Sequence, residues 1–313
     1  MTGQRRRAAA SSEQGFVIVA VLWILAALAA LATIFSVYLS NSAQALAVGD
    51  TGLRTEAVVS ASLELTAYRL LLAGDSARPA QGTFHFRLGD AAGVVSFVSE
   101  ASRIDLNLAP KELLAGLFSG LGADQEQAKQ YADRIVGWRT PSKPDTAEDE
   151  VSLYRASGLA YAPRQAPFAH VNELALVVGL PTGLVERALP FVTVFSRLPK
   201  IDVLVAPPEV IAALPGMTPS ALKQFLAERS SLPRDMAAIA TALGPAQANA
   251  ALDKSKTFRI LTTVRFDNGR QSVSEVVIRL GDDDDPYHVL SWQDDDVRPA
   301  AHRSVPARDA DDL

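Results

Sequence analysis

Histidine, the side chain most often used as a general base and as a metal ligand, is scarce in this chain. None of the four histidines lies in a spaced ligand motif such as His-Glu-x-x-His, and there is no Gly-x-Ser-x-Gly nucleophile turn. The chain has no cysteine, which excludes a thiol nucleophile, a cysteine-ligated metal and a disulfide framework. The sequence therefore predicts that the protein is not an enzyme. The histidines are His85, His170, His288 and His302.

Carboxylates crowd one loop between Pro141 and Tyr154. Asp145, Glu148 and Asp149 offer oxygen ligands in a flexible segment, and Ca²⁺ prefers ligands of this kind. A solvated acidic loop without a metal explains the same residues equally well. Both hypotheses stay open: calcium bound by Asp145, Glu148 and Asp149, or a metal-free loop.

The elements that position these residues begin with an apolar segment at 16–35, which has no charge, Gly or Pro. As a helix rising about 1.5 Å per residue, it is long enough to cross a bilayer once. Three arginines at 5–7 precede it, so the rest of the chain is expected outside the cytoplasm. Three interpretations compete: a membrane helix retained after a cut behind Gly15, an uncleaved signal anchor, and a signal peptide cut near Ala32.

The helical pattern continues past the membrane as one apolar stripe with steps of three and four residues. We expect this half of the helix to dock with the stripe on the protein's own sheet, while the membrane half packs against neighbouring subunits. Glycines at 49 and 52 weaken the middle of the helix, and Gly74-Asp75 followed by Pro79 ends it. The stripe consists of Val58, Ala61, Leu65, Tyr68 and Leu72.

After residue 79 the hydrophobic period changes to the alternation of β-strands. Residues 83–88 and 94–98 predict one hairpin, while 258–266 and 272–280 flank an Asn-Gly turn, a strong hairpin signal. The segment between the hairpins is mostly helical in pattern. The sequence thus predicts an α+β fold: a long N-terminal helix on a small antiparallel sheet, with a large helical insertion.

We expect the insertion to span residues 101–255 and the last strands to lie within 256–281. Residues 282–313 contain ten Asp and three Arg, which predicts an acidic, disordered tail with at most one short strand near 287–292.

The insertion contains an internal repeat, residues 104–117 and 201–214, with seven of fourteen aligned positions identical. In each copy an Asp in an extended lead-in precedes Ala-Pro, and a Glu follows in the first turn of a helix. Helix-start chemistry therefore explains Asp105, Glu112, Asp202 and Glu209 without acid–base catalysis. Each copy continues through a Gly-containing turn into a second helix, as in helix-hairpin-helix or SAM-like pairs.

Helix-hairpin-helix pairs also occur in DNA-binding proteins, including membrane-anchored competence proteins, and this is the alternative function. Such domains hold phosphates through Lys and Arg and should be basic. Residues 101–230 carry 13 Lys+Arg against 14 Asp+Glu, so we expect no nucleic-acid partner. A secreted binding protein with an ordinary signal peptide is a further alternative.

The junction of Gly15 and Phe16 resembles the prepilin peptidase site of type IV pilins and type II secretion pseudopilins. Ala20 stands at the fifth mature position, where most members have Glu and minor pseudopilin K does not. The remaining chain is similar to minor pseudopilin K (the general secretion pathway protein K family), although Leu204 departs from its pattern. The segments that carry this similarity are Asp105-Leu106-Asn107-Leu108-Ala109-Pro110, Trp138-Arg139, Ala147-Glu148-Asp149, Asn172-Glu173-Leu174 and Leu189-Pro190-Phe191-Val192-Thr193-Val194.

This resemblance implies that prepilin peptidase removes the leader 1–15 and that Phe16 is then N-methylated. It implies a single-pass inner-membrane protein with its head in the periplasm. The periplasmic helix and the first strands of the head are expected at 36–100. The expected function is to cap the tip of the pseudopilus and to help initiate its assembly for protein export. The expected partners are other minor pseudopilins, contacted through Ala20, Val58, Ala61 and Leu65. Relatives that bind calcium in the head add support to the acidic-loop hypothesis.

Overall fold

The computed structural model describes residues 10–141, 147–252, 255–281 and 285–295. The chain divides into two compact units, Met1–Val58 and Val59–Leu313. The helices are α1 (Ala10–Leu72), α2 (Gly74–Ala77), α3 (Lys111–Gly120), α4 (Gln125–Arg139), α5 (Ala147–Ala156), α6 (Thr182–Ala188), α7 (Pro208–Ala212), α8 (Pro219–Glu228) and α9 (Met236–Leu243). The strands are β1 (Gln81–Leu88), β2 (Ala91–Ser99), β3 (Ile104–Asp105), β4 (Val192–Thr193), β5 (Ile201–Asp202), β6 (Ala250–Ala251), β7 (Thr257–Phe266), β8 (Gln271–Leu280) and β9 (Tyr287–Asp295).

The first unit is helical. Within α1, the segment Phe16–Ser40 has a mean hydropathy of 2.8 and is long and apolar enough to cross a membrane once. The helix begins at Ala10 rather than at Phe16 because an established helix adds residues at its end at little cost. It also continues without a break through the glycines at 49 and 52.

The second unit is built on a five-stranded antiparallel sheet in the order β1-β2-β7-β8-β9. Both predicted hairpins are confirmed, and glycines with positive φ, Gly89 and Gly269, lie in their turns. The short strand expected near 287–292 is confirmed and extends to Asp295 as β9 along β8, so the disordered-tail prediction is wrong for 293–295. A register shift between Val277 and Ile278 places Val289 opposite Ile278 and Trp292 opposite Val276, so this segment lacks the strict alternation of a regular strand. Residues 296–313 of the predicted tail lie outside the described residues.

The last turns of α1 pack on one face of the sheet. Leu63, Ala67 and Leu70 are buried there, and the Ser62 hydroxyl lies 2.8 Å from the Thr262 hydroxyl of β7. The Arg69 guanidinium lies 4.1 Å from the centre of the Phe84 ring on β1. This cation–π contact fixes the helix near the sheet edge.

The insertion leaves the sheet after β2 and returns at β7. It contains two segments that each open and close with a pair of two-residue parallel strands, β3 with β4 and β5 with β6. Pro110 and Pro207 are the N-cap residues of α3 and α7, as the repeat predicts. A contiguous apolar core runs through the insertion and includes Phe118, Trp138 and Phe225.

Candidate functional site

Four of the five residues of the apolar stripe on α1 are at least partly exposed. Ala61 and Leu65 are half-buried, whereas Tyr68 and Leu72 are 62% and 72% exposed. These four residues follow one another at steps of four, three and four, so they lie along one side of α1. They are therefore not fully packed on the protein's own core. Val58, the fifth residue of the stripe, is 5% exposed and does not offer a surface to a neighbouring subunit. Subunit contacts through Ala61 and Leu65 stay a prediction.

The hydrophobic pattern of the sequence does not reveal the face of α1 that packs on the sheet, because that face is rich in hydroxyl side chains. Ser62 and Thr66 are fully buried among the apolar residues of that face. The Ser62 hydroxyl donates to the Val59 carbonyl, and the Thr66 hydroxyl donates to the Ser62 carbonyl, so both are satisfied inside the helix. The partner Thr262 lies 200 residues away, and no local pattern reveals such a pair.

The predicted processing site lies inside α1. Phe16 is 76% exposed and Ala20 is half-buried; of Gly15 the structure describes only the helical backbone. Cleavage and N-methylation stay predictions, as does an assembly role for Ala20.

The two copies of the repeat have the same backbone turn. The Ala109 amide donates to the Asp105 carbonyl and the Ala206 amide donates to the Asp202 carbonyl, each at 2.9 Å. The carboxylates also act alike, since Asp105 accepts from the amide two residues on at 2.8 Å and Asp202 does so at 3.0 Å. Both side chains are buried, so the predicted helix-start role is confirmed for the aspartates.

Asp105 additionally holds the connection to the second copy. Its Oδ2 accepts from the Ser196 hydroxyl at 3.0 Å and from the Arg197 amide at 2.9 Å. Arg197 has a φ of 58°, a left-handed conformation that a non-glycine residue adopts only at some cost. Burial raises the pKa of the Asp105 carboxyl, although these hydrogen bonds act in the opposite direction.

An arginine at the end of the second helix completes each start motif. In the first copy, Arg139 donates to the Leu106 carbonyl at 2.5 Å and to the Ala109 carbonyl at 2.7 Å. In the second copy, Arg229 donates to the Ala206 carbonyl at 2.7 Å. Each arginine satisfies backbone acceptors at the start of its partner helix, so each hairpin is closed by its own side chain.

The two copies meet at equivalent positions of the repeat. A Cβ on Gly116 would lie 2.0 Å from the Ala213 carbonyl oxygen, and Ala213 aligns with Gly116 in the repeat. Contact between equivalent positions is the signature of a two-fold related pair. Glycine is required here because α3 and α7 approach too closely for a side chain.

The acidic loop is described only at its margins. Asp145 lies outside the described residues, and Glu148 and Asp149 are described only as backbone of α5. Glu150 pairs with Arg134 at 3.0 Å through Oε2, while its buried Oε1 has no hydrogen-bond partner among the described residues. Burial raises the pKa of the Glu150 carboxyl. Among the residues that the structure describes, no group of three or more His, Asp or Glu side chains is placed to hold a metal.

An aromatic cluster joins α4, α5 and the segment that follows them. The Trp138 ring stacks on Phe168 at 5.9 Å and lies 6.1 Å from Tyr154. Burial raises the pKa of the Tyr154 phenol to about 12. The Trp138 indole donates to Glu173, which also pairs with Arg164 at 2.8 Å. The cluster packs α4 and α5 against the segment that follows them.

The hairpins that suggested DNA binding have their second helices capped from within. The Asp124 side chain accepts from the Gln127 amide at 2.8 Å, and the Thr218 hydroxyl accepts from the Ala221 amide at 3.2 Å. These are the amides that would otherwise face a phosphate. Each cap occupies one amide in the first turn of its helix, and the absence of a nucleic-acid partner stays a prediction.

Comparisons with known proteins agree with this architecture. Residues 95–197 match the family model of type II secretion system (T2SS) protein K. A chain of the crystal structure of the GspK-GspI-GspJ complex from the enterotoxigenic Escherichia coli Type 2 Secretion System superposes with a TM-score of 0.59 and 17% identity. That match covers 80% of this chain and 99% of that chain. No curated protein matches the sequence.

An apolar N-terminal helix, an antiparallel sheet on which its later turns pack and a helical insertion make up a pilin-like α+β fold. The match of residues 95–197 to the model of type II secretion system protein K agrees with the resemblance to minor pseudopilin K seen in the sequence. The predicted α+β fold class is confirmed as well. The family is a structural one within the secretion system, and the lack of enzymatic activity stays a prediction.

Proposed function

We propose that this minor pseudopilin caps the tip of the periplasmic pseudopilus and helps to initiate its assembly for the export of folded proteins across the outer membrane. The observation that carries the proposal is where the insertion joins the head. β1 follows α1 through the short helix α2, and its first residue Gln81 pairs with Val98 near the end of β2. The insertion therefore starts at the end of the sheet where α1 terminates.

The return of the chain confirms which end of the sheet is occupied. Ser99, the last residue of β2, pairs with Phe258 at the start of β7, and its amide donates to the Ala80 carbonyl at 2.7 Å. Among the described residues, the opposite end of the sheet has the tight turns at Gly89 and Gly269 and the end of β9 at Asp295. The helical mass thus lies at the end of the head where α1 finishes, further along the chain from the membrane segment.

The insertion would prevent a further subunit from adding at this end of the sheet. In pilin-like fibres each subunit is held through its N-terminal helix, and a domain of about 150 residues at the end of the sheet where α1 terminates would occupy the next place. Ala20 supports the same conclusion, because the Glu of the fifth mature position in other family members contacts the subunit above. The cap needs no such carboxylate.

We propose that the outward side of α1 (Ala61, Leu65, Tyr68 and Leu72) binds other minor pseudopilins. Large exposed apolar residues that lie on one side of a helix mark an interaction surface. The complex that contains the similar fold is formed with GspI and GspJ, which supports partners of this kind. Co-purification with the other minor pseudopilins should fall for Tyr68→Arg and stay unchanged for His85→Arg, a control on exposed β1. Equal retention of both variants would contradict this surface.

Gold labelling of pseudopili tests the cap itself. Because Ser99 and Phe258 are paired, an Asn-Gly turn can replace residues 100–257 and leave a continuous β2–β7 hairpin. The intact chain should label only fibre ends, and the shortened chain should also label the shaft, since another subunit can then add above it. Labelling of the shaft by the intact chain would exclude a cap.

We further propose that prepilin peptidase cuts between Gly15 and Phe16 and that Phe16 is N-methylated in the inner membrane. Mass spectrometry of the mature N-terminus from cells with and without the peptidase tests this directly. A methylated Phe16 is expected only when the peptidase is present. A cut near Ala32, or an uncut chain in both strains, would contradict it.

Calcium at Asp145, Glu148 and Asp149 is also a proposal. The buried Oε1 of Glu150 supports it, because a carboxylate oxygen without a partner among the described residues is suited to a cation nearby. Ca²⁺ would supply charge neutralisation to an acidic loop that borders the aromatic cluster. Thermal unfolding with and without a chelator should show a lower midpoint after calcium removal, together with a change in Trp138 fluorescence. An unchanged unfolding midpoint together with an unchanged fluorescence spectrum would contradict the proposal.

A further inference from the structure

A buried polar layer separates the insertion from the sheet. The apolar cluster of the insertion is made of residues between 104 and 250, and none of the described sheet residues belongs to it. The sheet has its own apolar residues on the other side, such as Phe258 and Ile260 of β7. Between them lie polar side chains that are at most 3% exposed: Ser99, Glu100, Ser102, Thr193 and Thr257.

Glu100 is the centre of this layer, and its side chain is fully buried. Its Oε1 accepts from Arg259 Nε at 2.7 Å and from Arg103 Nη1 at 3.0 Å. Its Oε2 accepts from Arg259 Nη2 at 3.3 Å and from the Thr193 hydroxyl. Both carboxylate oxygens are thus satisfied by directional bonds.

The partners of Glu100 come from three different parts of the head. Arg259 belongs to β7 of the sheet, where it also pairs with Glu275 of β8. Thr193 belongs to β4, at the end of the first copy of the repeat. Arg103 leads into the insertion and donates to the Pro190 carbonyl at 2.9 Å. One carboxylate therefore ties the entry of the insertion, its first copy and the sheet together.

We propose that Glu100 is a positioning residue that holds the insertion in one orientation on the sheet. Apolar contact is non-directional and would allow the two cores to slide or rock against each other. Hydrogen bonds to a buried carboxylate fix distances and angles, so they select one orientation even where they add little stability. A rigid upper surface on a cap would follow, and this consequence rests on the proposed function. The positioning role of Glu100 does not depend on it.

The charge state of the layer is consistent with this role. Burial alone would raise the pKa of the Glu100 carboxyl, but the neighbouring guanidinium groups of Arg259 and Arg103 outweigh it and lower the pKa. The groups that face Glu100 are these two arginines and the Thr193 hydroxyl, with Glu275 beyond Arg259. The carboxylate is therefore ionised at neutral pH and keeps all four bonds.

A distance measurement on the full chain tests the positioning role of Glu100. Since the chain has no cysteine, spin labels can be placed at Thr83→Cys on β1 and Gln130→Cys on α4, both exposed. Glu100→Gln should broaden the distance distribution at least twofold while circular dichroism stays unchanged. Glu275→Gln is the matched control, because it breaks an ion pair between two sheet strands and should leave the distribution narrow.

Two outcomes would overturn the proposal: a distribution as narrow in Glu100→Gln as in the wild type, or equal broadening in both variants. If Glu100→Gln does not fold, Thr193→Val keeps both arginine partners of Glu100 and should broaden the same distance. It removes the bond from the first copy to Glu100 and also the bond that the Thr193 hydroxyl accepts from the Phe195 amide. Gold labelling is independent of this result. If the wild-type chain labels the shaft and Glu100→Gln broadens the distance distribution, the cap is excluded and the positioning role of Glu100 stands. If the wild-type chain labels only fibre ends and Glu100→Gln leaves the distribution narrow, the cap stands and the positioning role is excluded.

Discussion

The two copies of the repeat share one start motif and differ in what surrounds it. Both have the buried Asp, the Asp-to-Ala backbone turn and an arginine that closes the hairpin. The first copy spans from β3 to β4 and carries an aromatic cluster and the acidic loop. The second, from β5 to β6, is shorter and contains neither. The shared motif therefore forms the start of each hairpin. The two copies differ in the segments that follow this start.

A single side chain accounts for much of this difference. Asn107 donates to the Phe168 carbonyl at 3.0 Å and accepts from the Phe168 amide at 2.6 Å, so it clamps the long segment that follows α5. Leu204 stands at the equivalent position of the second copy and cannot form these bonds. The departure from the family pattern at Leu204 thus coincides with the absence of a long segment to hold.

The largest expected effect breaks the contact between the copies. Gly116→Ala would place a Cβ 2.0 Å from a backbone oxygen, which must cost about 3 kcal/mol or more because α3 and α7 have to separate. Urea unfolding of the purified head measures this loss. Gly120→Ala in the same helix is the control, since its Cβ meets nothing within 4 Å and it should change stability by less than about 1 kcal/mol. Similar losses for both variants would contradict the close approach.

The closing arginines should differ in strength between the copies. Arg139→Ala removes two charged hydrogen bonds to backbone carbonyls and should cost about 3 kcal/mol, whereas Arg229→Ala removes one and should cost about half as much. Denaturant midpoints of the two variants provide the comparison. A larger loss for Arg229→Ala would show that the second hairpin depends on its arginine more than the bond count indicates.

Exchanging the residues that distinguish the copies should have unequal results. Asn107→Leu leaves the Phe168 amide and carbonyl without their partner and should cost about 2 kcal/mol. Hydrogen exchange should rise around Phe168 and stay unchanged around α8. The reverse exchange, Leu204→Asn, has no backbone segment to clamp and should cost less than about 1 kcal/mol. A uniform rise in exchange across the insertion would argue against a local clamp.

The smallest expected effect is a difference between two buried carboxylates in how each makes the stability of the protein depend on pH. The folded-state pKa of Glu100 lies below its ordinary value of 4.5, so its contribution to stability is present above that pH and is lost on acidification through the folded pKa. The folded-state pKa of Asp105 lies above 3.8, so its contribution has the opposite sign and is lost as pH rises through that pKa. In denaturation between about pH 3 and pH 6, Glu100→Gln should flatten the rise of stability with pH and Asp105→Asn should steepen it. The same slope change in both variants would refute this assignment.

Several of these features could be predicted from sequence because their causes are local. The Pro-capped starts of α3 and α7, the Asn-Gly hairpin and the apolar segment each depend on residues within one turn or one helix. The aspartates of the repeat were correctly explained by helix-start chemistry. The strand β9 was underestimated because acidic composition outweighed the pairing signal of residues 287–292.

The tertiary structure alone decided which side of α1 faces the sheet and which partners the buried charges have. Ser62 and Thr262 are 200 residues apart, and Glu100 and Arg259 are 159 apart. A hydroxyl or carboxylate is stable in a core only when its partner is there, and that partner is brought by the sheet, not by neighbours in sequence. By itself, the sequence determined an α+β fold with one segment long and apolar enough to cross a membrane and with a repeat in its helical insertion. The fold decided that the insertion stands at the end of the head where α1 finishes, because β2 and β7 pair directly on either side of it.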